Sequence, residues 1–273
     1  YDVAIAYGDT PEILAFVGQK IQAARKIAWL HNDYPDSIFN RRLWATYYKS
    51  YHAAYACSRD LTVKFSDFFQ ALGLRIEHIP YYLAPESYRQ LSKEYVPFEK
   101  TESVLNLVSV GRICPQKGFD LAIEVADRLV KEGFRFKWYI VGGGADLTSL
   151  QKLASSRNLA QTLHFVGLRC NPYPFIACCD IYVQPSRHEG YCLTLAEARL
   201  LLRPIVTTNF VGASEQITDG ETGVIVECSA DAIADGVRKL LCDDGYRKRL
   251  SQNLGTRQHA VSISAFRQKV LDQ

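Results

Sequence analysis

Methionine is missing from all 273 residues, and Tyr1 runs directly into the strand-like D-V-A-I-A-Y. That opening leads to the expectation that the sequence starts inside a domain, with a segment upstream lost or never included. Long apolar runs are missing too. None approaches the roughly 18 residues that a membrane-spanning helix needs, and no signal-peptide pattern opens the chain. Charge of one sign is scarce: the net charge is +3, and the first hundred residues hold 12 Lys and Arg against 11 Asp and Glu. No basic block therefore argues for nucleic acid. The eight cysteines (57, 114, 170, 178, 179, 192, 228 and 242) form no C-x-x-C pair. Most lie in apolar segments, so the reading is buried free thiols in a reducing cytosol. Cys178 and Cys179 beside Asp180 make a poor zinc set. No G-x-x-x-x-G-K-[ST] occurs, which removes a P-loop, and no Asp-x-Asp pair occurs, which disfavours a divalent ion held by two aspartates. The run V-G-G-G-A-D-L at 141–147 has Leu147 where a dinucleotide loop wants its third glycine, and no acidic residue follows at the right distance.

What remains is the composition of a globular protein, 48% hydrophobic and 22% charged. Short apolar runs alternate with amphipathic segments, the mark of an α/β protein with parallel sheets. Strands are predicted at 3–7, 26–30, 53–57, 75–79, 104–110, 136–141, 162–166, 180–184, 204–208 and 223–226. Helices are predicted at 11–23, 40–51, 59–71, 118–132, 146–157, 192–202, 230–241 and 244–254, with Gly73 and Gly133 closing two of them. The stretch 80–102 is polar, carries Pro85 and Pro97, and breaks this rhythm, so it reads as a linker. The expected division is a partial first domain over 1–98, a second over 103–250 and a helical tail over 251–273. Trp44, Tyr48, Tyr51 and Tyr55 recur at helical spacing and read as core packing.

Two segments carry chemistry. Arg112 and Lys117, in G-R-I-C-P-Q-K-G at 111–118, sit in the turn after a strand, at the sheet edge where open α/β proteins bind ligands. An Arg fork and a Lys point charge suit a diphosphate. Alone, such a basic turn is a common surface feature. The second segment, S-R-H-E-G-Y-C-L-T-L-A-E-A from Ser186, changes its meaning. Glu189 stands at a loop apex, placed for sugar hydroxyls. Glu197 lies in the first turns of a helix that starts near Cys192, in an apolar setting where an unpartnered carboxylate would be costly. The N–H groups of Gly190, Tyr191, Cys192, Leu193 and Thr194 at that helix start are placed for phosphate. His31, in W-L-H-N-D at 29–33, follows a buried strand as a polar group facing a cleft. A carboxylate pair alone would also fit a glycosidase, but that chemistry has no need of the two cations.

These motifs together make the chain resemble glycosyltransferase family 4. The family's order and spacing hold for G-R-x-x-x-Q-K-G at 111–118, I-V-G-G-G at 140–144, F-V-G at 165–167 and N-P-Y-P at 171–174. They hold also for E-x7-E at 189–197, G-A-S-E at 212–215 and D-G-E-T-G at 219–223. The resemblance implies the GT-B fold, two Rossmann-like domains facing a cleft, here with the N-terminal domain incomplete. It implies that Arg112 and Lys117 hold a diphosphate, Glu197 the ribose, and Glu189 with its loop the donor sugar. The base is then expected against Val166, Gly167 and Leu168, and His31 near the sugar. It further implies a metal-independent, retaining transfer with no cofactor, from a nucleoside-diphosphate sugar, UDP-linked by expectation, to a saccharide or lipid-linked acceptor. The location it implies is cytoplasmic, with peripheral contact at the inner face of the plasma membrane. Two departures stand out. Cys192 replaces the second glycine of the usual E-G-F-G, and the family's opening strand and Gly-rich loop have no counterpart. The alternative reading is a truncated nucleotide-sugar-binding chain without transfer.

Overall fold

A computed structural model describes residues 1–34, 39–101 and 103–256. By their internal contacts the described residues fall into two compact units. The first comprises Tyr1–Leu83 together with His188–Tyr191, and the second comprises Ala84–Arg187 and, among the described residues, 192–256.

In the first unit, strands β1 (Val3–Ala6), β2 (Arg25–Leu30), β3 (Ala53–Ala56) and β4 (Arg75–His78) form a parallel sheet in sequence order. Helices α1 (Pro11–Lys20), α2 (Arg41–Tyr48) and α3 (Arg59–Ala71) provide the crossovers. Each helix start has a chemical cause. Pro11 occupies the first turn of α1, where its missing N–H costs nothing. Asn40 accepts from Leu43 N at 3.2 Å, and Ser58 from Leu61 N at 3.2 Å. Gly73 takes φ +68° just past α3, as its position in the sequence suggests. The aromatic residues read as core are core: Trp44, Tyr48, Tyr51 and Tyr55 are all buried. Tyr48 meets Phe69 edge-on at 4.8 Å, and the Tyr51 hydroxyl donates to the Leu14 carbonyl at 2.8 Å.

The second unit is built on β5 (Leu105–Val110), β6 (Phe136–Val141), β7 (Leu163–Gly167), β8 (Ile181–Gln184), β9 (Ile205–Thr208) and β10 (Val224–Val226). All pairings are parallel, in the order β10-β9-β8-β5-β6-β7. The order reverses direction between β5 and β8, and open α/β sheets bind ligands at such a switch point, beyond the carboxyl ends of the strands. Helices α4 (Pro85–Leu91), α5 (Phe119–Lys131), α6 (Leu147–Ser156), α7 (Tyr173–Cys178), α8 (Leu193–Leu200), α9 (Ala213–Gln216), α10 (Ala230–Cys242) and α11 (Asp244–Thr256) complete it. Apolar layers lie on both faces of the sheet, one centred on Leu107, Trp138 and Ile181, the other on Val108, Tyr182 and Leu195. Strands covered twice explain the near-continuous hydrophobic runs in the sequence. Trp138 is fully buried, and its indole N–H is satisfied by Ser109 Oγ at 3.0 Å.

Three features differ from the sequence reading. Residues 84–98, read as linker, belong to the second unit: α4 packs beside α7 and α8, and Phe98 stacks on Tyr139 at 4.4 Å. Pro85 at the first helical turn with Glu86 behind it is a helix-start signature that the lack of periodicity obscured. The cysteines are free, but only Cys57, Cys179 and Cys192 are buried, whereas Cys170, Cys228 and Cys242 are exposed. Of the expected tail 251–273, residues up to Thr256 continue α11, and the rest lies outside the described residues. No helix among the described residues is long and apolar enough to cross a membrane.

Candidate functional site

Three loops at the carboxyl ends of β5, β6 and β8 are locked together by backbone approaches that only glycine permits. Gly118 has φ +67°, and a Cβ there would sit 2.0 Å from the Pro185 carbonyl oxygen. A Cβ at Gly142 would sit 1.9 Å from the Gly111 carbonyl oxygen, and one at Gly144 would sit 2.1 Å from that of Ile113. Hydrogen bonds run alongside: Gly111 N–H to Val141 C=O at 3.0 Å, Ile113 N–H to Gly143 C=O at 2.8 Å, and Gly142 N–H to Gly167 C=O at 3.0 Å. Arg187 clamps the same region, donating to both Asp120 oxygens (2.7 and 2.5 Å) and to the Pro115 carbonyl at 2.8 Å. The site is thus framed by backbone before any functional side chain is placed.

Within this frame lies a cavity of about 410 Å³, lined by Val110, Gly111, Arg112, Val141, Gly142, Gly143, Leu168, Arg169 and Pro172. Arg112 is exposed on its wall and makes no hydrogen bond or ion pair with other described residues. Leu168 is 77% exposed and presents an apolar side chain to the cavity. Val166 instead packs on the core, and Gly167 contributes the turn, with φ +81°. Lys117 ends a short 3-10 turn, and its stem passes over Gly111, where a Cβ would already touch Lys117 Cδ at 3.4 Å.

Helix α8 brings Glu197 to the same end of the sheet. The Ala196 N–H bonds the Cys192 carbonyl at 3.2 Å, so the N–H groups of Leu193 and Thr194 precede the intrahelical ladder. The Thr194 hydroxyl turns inward to Gln184 Oε1 at 3.1 Å. Glu197 is 9% exposed, and its Oε1 accepts from the Tyr173 hydroxyl at 3.3 Å. Burial pushes its carboxyl up to about 7, while the Tyr173 hydroxyl and the Lys117 charge oppose that rise. Lys117 and Glu197, eighty positions apart in the chain, therefore feel each other's charge. Burial and then the Glu197 charge raise both Tyr173 and Tyr88, so each keeps its phenolic proton. Cys192 caps the helix at φ +66° and ψ +83°, a left-handed conformation that glycine adopts without strain.

The remaining predicted residues fall in the first unit. Glu189 is 6% exposed, and Gly190 lies so close to the His31 backbone that a Cβ would sit 2.0 Å from its carbonyl oxygen. The Tyr191 ring is 5.4 Å from that of Tyr81. Of the five N–H groups read as one phosphate-facing row, Gly190 and Tyr191 thus group with the first unit and Cys192, Leu193 and Thr194 with the second. His31 is set by Asp9, whose Oδ2 accepts from the backbone N–H groups of His31 (2.8 Å) and Asn32 (2.9 Å). Its ring lies among Tyr7, Trp29 and Tyr81. Nδ1 pairs with the Tyr81 hydroxyl, and Nε2 is buried without a hydrogen-bond partner among the described residues. Burial lowers the affinity of this imidazole for a proton, against the pull of Asp9. Asp9 and Tyr88 escaped the sequence reading, and Asn171 and Tyr173 entered it only as letters of the N-P-Y-P motif, without a role. Only Asn171 had a usable signal, an Asn before Pro that accepts from the Tyr173 N–H at 3.1 Å and so begins α7.

A six-stranded parallel sheet flanked by helices is the Rossmann-like fold of GT-B glycosyltransferases. Residues 93–256 match the family of glycosyl transferases group 1, and the chain belongs to that family. It is 31% identical over 147 residues to the alpha-D-kanosaminyltransferase of Streptomyces kanamyceticus, an alignment covering 53% of this chain and 38% of that protein. It is 30% identical over 165 residues to a capsular polysaccharide biosynthesis glycosyltransferase of Staphylococcus aureus, covering 57% and 42%. The chain spans less than half the length of these relatives. Among solved structures, Anabaena HepE crystallised with UDP superposes with a TM-score of 0.76 at 16% identity, covering 100% of this chain and 78% of that one. At that identity the likeness establishes the fold.

Proposed function

We propose that the protein transfers a hexosyl group from a nucleoside-diphosphate sugar, a UDP-sugar in the first instance, to a saccharide or lipid-linked acceptor. In this reading the reaction retains the anomeric configuration and uses no metal ion. The observation that carries it is the grouping, in one unit, of Arg112 on a largely apolar cavity, Lys117, and the buried Glu197 on α8. The cavity suits the base. Glu197 accepts from ribose hydroxyls, each charge-assisted bond contributing about 1.5–3 kcal/mol. Arg112, Lys117 and the α8 N-terminus stabilise the charge that grows on the leaving diphosphate. Such fixed donors serve the role a divalent cation fills elsewhere, in keeping with a sequence that has no Asp-x-Asp pair. Glu189 and His31 are assigned to the donor sugar. The relatives named for capsular polysaccharide and lipopolysaccharide core biosynthesis support a saccharide or lipid-linked acceptor, and a location at the cytoplasmic membrane face belongs to the same proposal.

The test has two stages. UDP, GDP and ADP are compared for thermal stabilisation of the protein, and release of free nucleotide is then followed with sugars linked to the stabilising base. Lys117→Ala and Glu189→Gln are each expected to lower transfer by about 10²–10³, the scale for removing one transition-state stabiliser. Stabilisation without release would replace transfer by nucleotide-sugar binding alone. Near-normal turnover in both variants would remove the site assignment.

A further inference from the structure

We propose that Tyr173, braced by Tyr88, is a positioning residue for Glu197, fixing the orientation in which that carboxylate accepts ribose hydroxyls. The proposal rests on the nucleotide-sugar reading of the site. Its basis is a chain of contacts that runs through the helix missed in the sequence. Asn171 joins two segments eighty residues apart: its Nδ2 donates to the Leu91 carbonyl (2.8 Å) and to Glu94 Oε2 (2.7 Å), and its own carbonyl accepts from the Tyr95 hydroxyl at 2.5 Å. The end of α4 is thereby tied to the start of α7. Across this tie the rings of Tyr88 and Tyr173 meet edge-on at 5.0 Å. Tyr173 begins α7, held by the Asn171 side chain and flanked by Pro172 and Pro174, so its backbone has little freedom.

The hydroxyl at the end of that braced ring is the hydrogen bond printed on Glu197 by the fold. A buried carboxylate with one fixed donor has one preferred rotamer, and its remaining lone pairs then point in a defined direction. Among the described residues, titratable groups that face Glu197 are Tyr88 on α4, Lys117 in the turn after β5, Tyr173 on α7 and Tyr182 on β8. Lys117 favours the ionised carboxylate through charge and Tyr173 through its O–H, whereas burial favours the neutral form. Tyr182 donates its own hydroxyl to Gln184 Oε1 at 2.8 Å, which leaves Tyr173 as the phenol that holds the carboxylate.

The experiment compares UDP affinity by calorimetry from pH 6 to 9 in the wild type, Tyr173→Phe, Glu197→Gln and the double variant. Titration of the nucleotide's own phosphate is common to all four. Tyr173→Phe is expected to weaken UDP binding about tenfold near pH 7. The deficit should narrow as pH rises, because the substitution moves Glu197 ionisation upward. In the Glu197→Gln background the same change should have little effect. Independently of any ligand, the Glu197 carboxyl signal in a ¹³C NMR titration should shift to higher pH in Tyr173→Phe. Equal weakening at every pH, or equal weakening in both backgrounds, would overturn the positioning role while leaving the nucleotide site standing. An unmoved carboxyl titration would do the same. A wild type that binds none of UDP, GDP and ADP would remove the nucleotide reading and this role together.

Discussion

Replacing Glu197 by Gln should make the protein more stable at pH 8 and leave it nearly unchanged at pH 5. The ordinary carboxyl value is 4.5, and burial raises that of Glu197 to about 7 in the folded state. A raised acid holds its proton longer when folded than when unfolded, so stability falls as pH rises from about 4.5 through 7 and is level above that. Below 4.5 both states are protonated, and the group contributes no pH dependence. Each pH decade in the window is worth up to about 1.4 kcal/mol, which gives about 3 kcal/mol across it as an upper bound. Glutamine has almost the same shape, keeps an oxygen to accept from Tyr173, and carries no charge to desolvate. Urea unfolding of both proteins at pH 5, 6, 7 and 8 would show the two curves separating across this window, the variant being the more stable above it. A difference between variant and wild type that is the same at every pH would refute the reasoning. So would a wild type that gains stability relative to the variant as pH rises. On the proposed reading, added nucleotide should narrow the gap, because ribose hydroxyls would donate hydrogen bonds to the buried carboxylate.

Two further substitutions probe the frame. Gly118→Ala places a Cβ against the Pro185 carbonyl in a residue with positive φ, and should cost about 2–5 kcal/mol of stability together with most nucleotide affinity; Gly133→Ala, at φ +91° with open space around it, should cost only the backbone strain of about 1–2 kcal/mol and spare binding. At Cys192, Gly should be more stable than Ala by about 1 kcal/mol, the reverse of the order at an ordinary helix position, because both lose the thiol but only Ala keeps the left-handed strain. Chemical denaturation checks both pairs, and an Ala variant at 192 more stable than the Gly variant would show that the strain is absorbed elsewhere.

Most strands were legible from the sequence as short apolar runs, while β4 (Arg75–His78), which carries Arg, Glu and His and has no buried residue, is the exception. Helices with a wide apolar stripe were legible as well, α5 and α10 most clearly. Short helices were not. Helix α4 buries none of its residues fully and is held by Asn171 and by one tyrosine ring. Helix α7 spans six residues with prolines at its start, a composition that reads as a loop. The same limit applies to the site. Arg112, Lys117 and Glu197 stand out through residue type and position after strands. Tyr173 was visible only as a letter of the N-P-Y-P motif, since its contact is with a partner 24 positions away reached through the fold. His31 shows the opposite case: its place after β2 suggested an accessible group, but the rings of Tyr7, Trp29 and Tyr81 pack against it and leave it half-buried, and Tyr81 occupies one nitrogen. Neither a spacing pattern nor a propensity encodes which rings will close over a histidine.

The costs in the second unit are not spread evenly. A carboxylate raised by burial, a cysteine in a left-handed conformation and three glycines pressed against carbonyl oxygens all lie at the carboxyl ends of β5, β6 and β8. Along the opposite face of the sheet, by contrast, α5 and α10 present buried side chains drawn from apolar types, in agreement with their local pattern. Local choices that disagree with local preference persist when the surrounding structure over-determines them, and they concentrate where a ligand is handled. The glycine approaches bring backbone close enough to close a wall around the cavity, and on the proposed reading ribose hydroxyls would supply hydrogen bonds to the buried carboxylate. On that reading, stability lost at Glu197 returns when a ligand brings hydrogen-bond donors to it, and a nucleotide lacking the 2′-hydroxyl should restore less of that stability than its ribose counterpart.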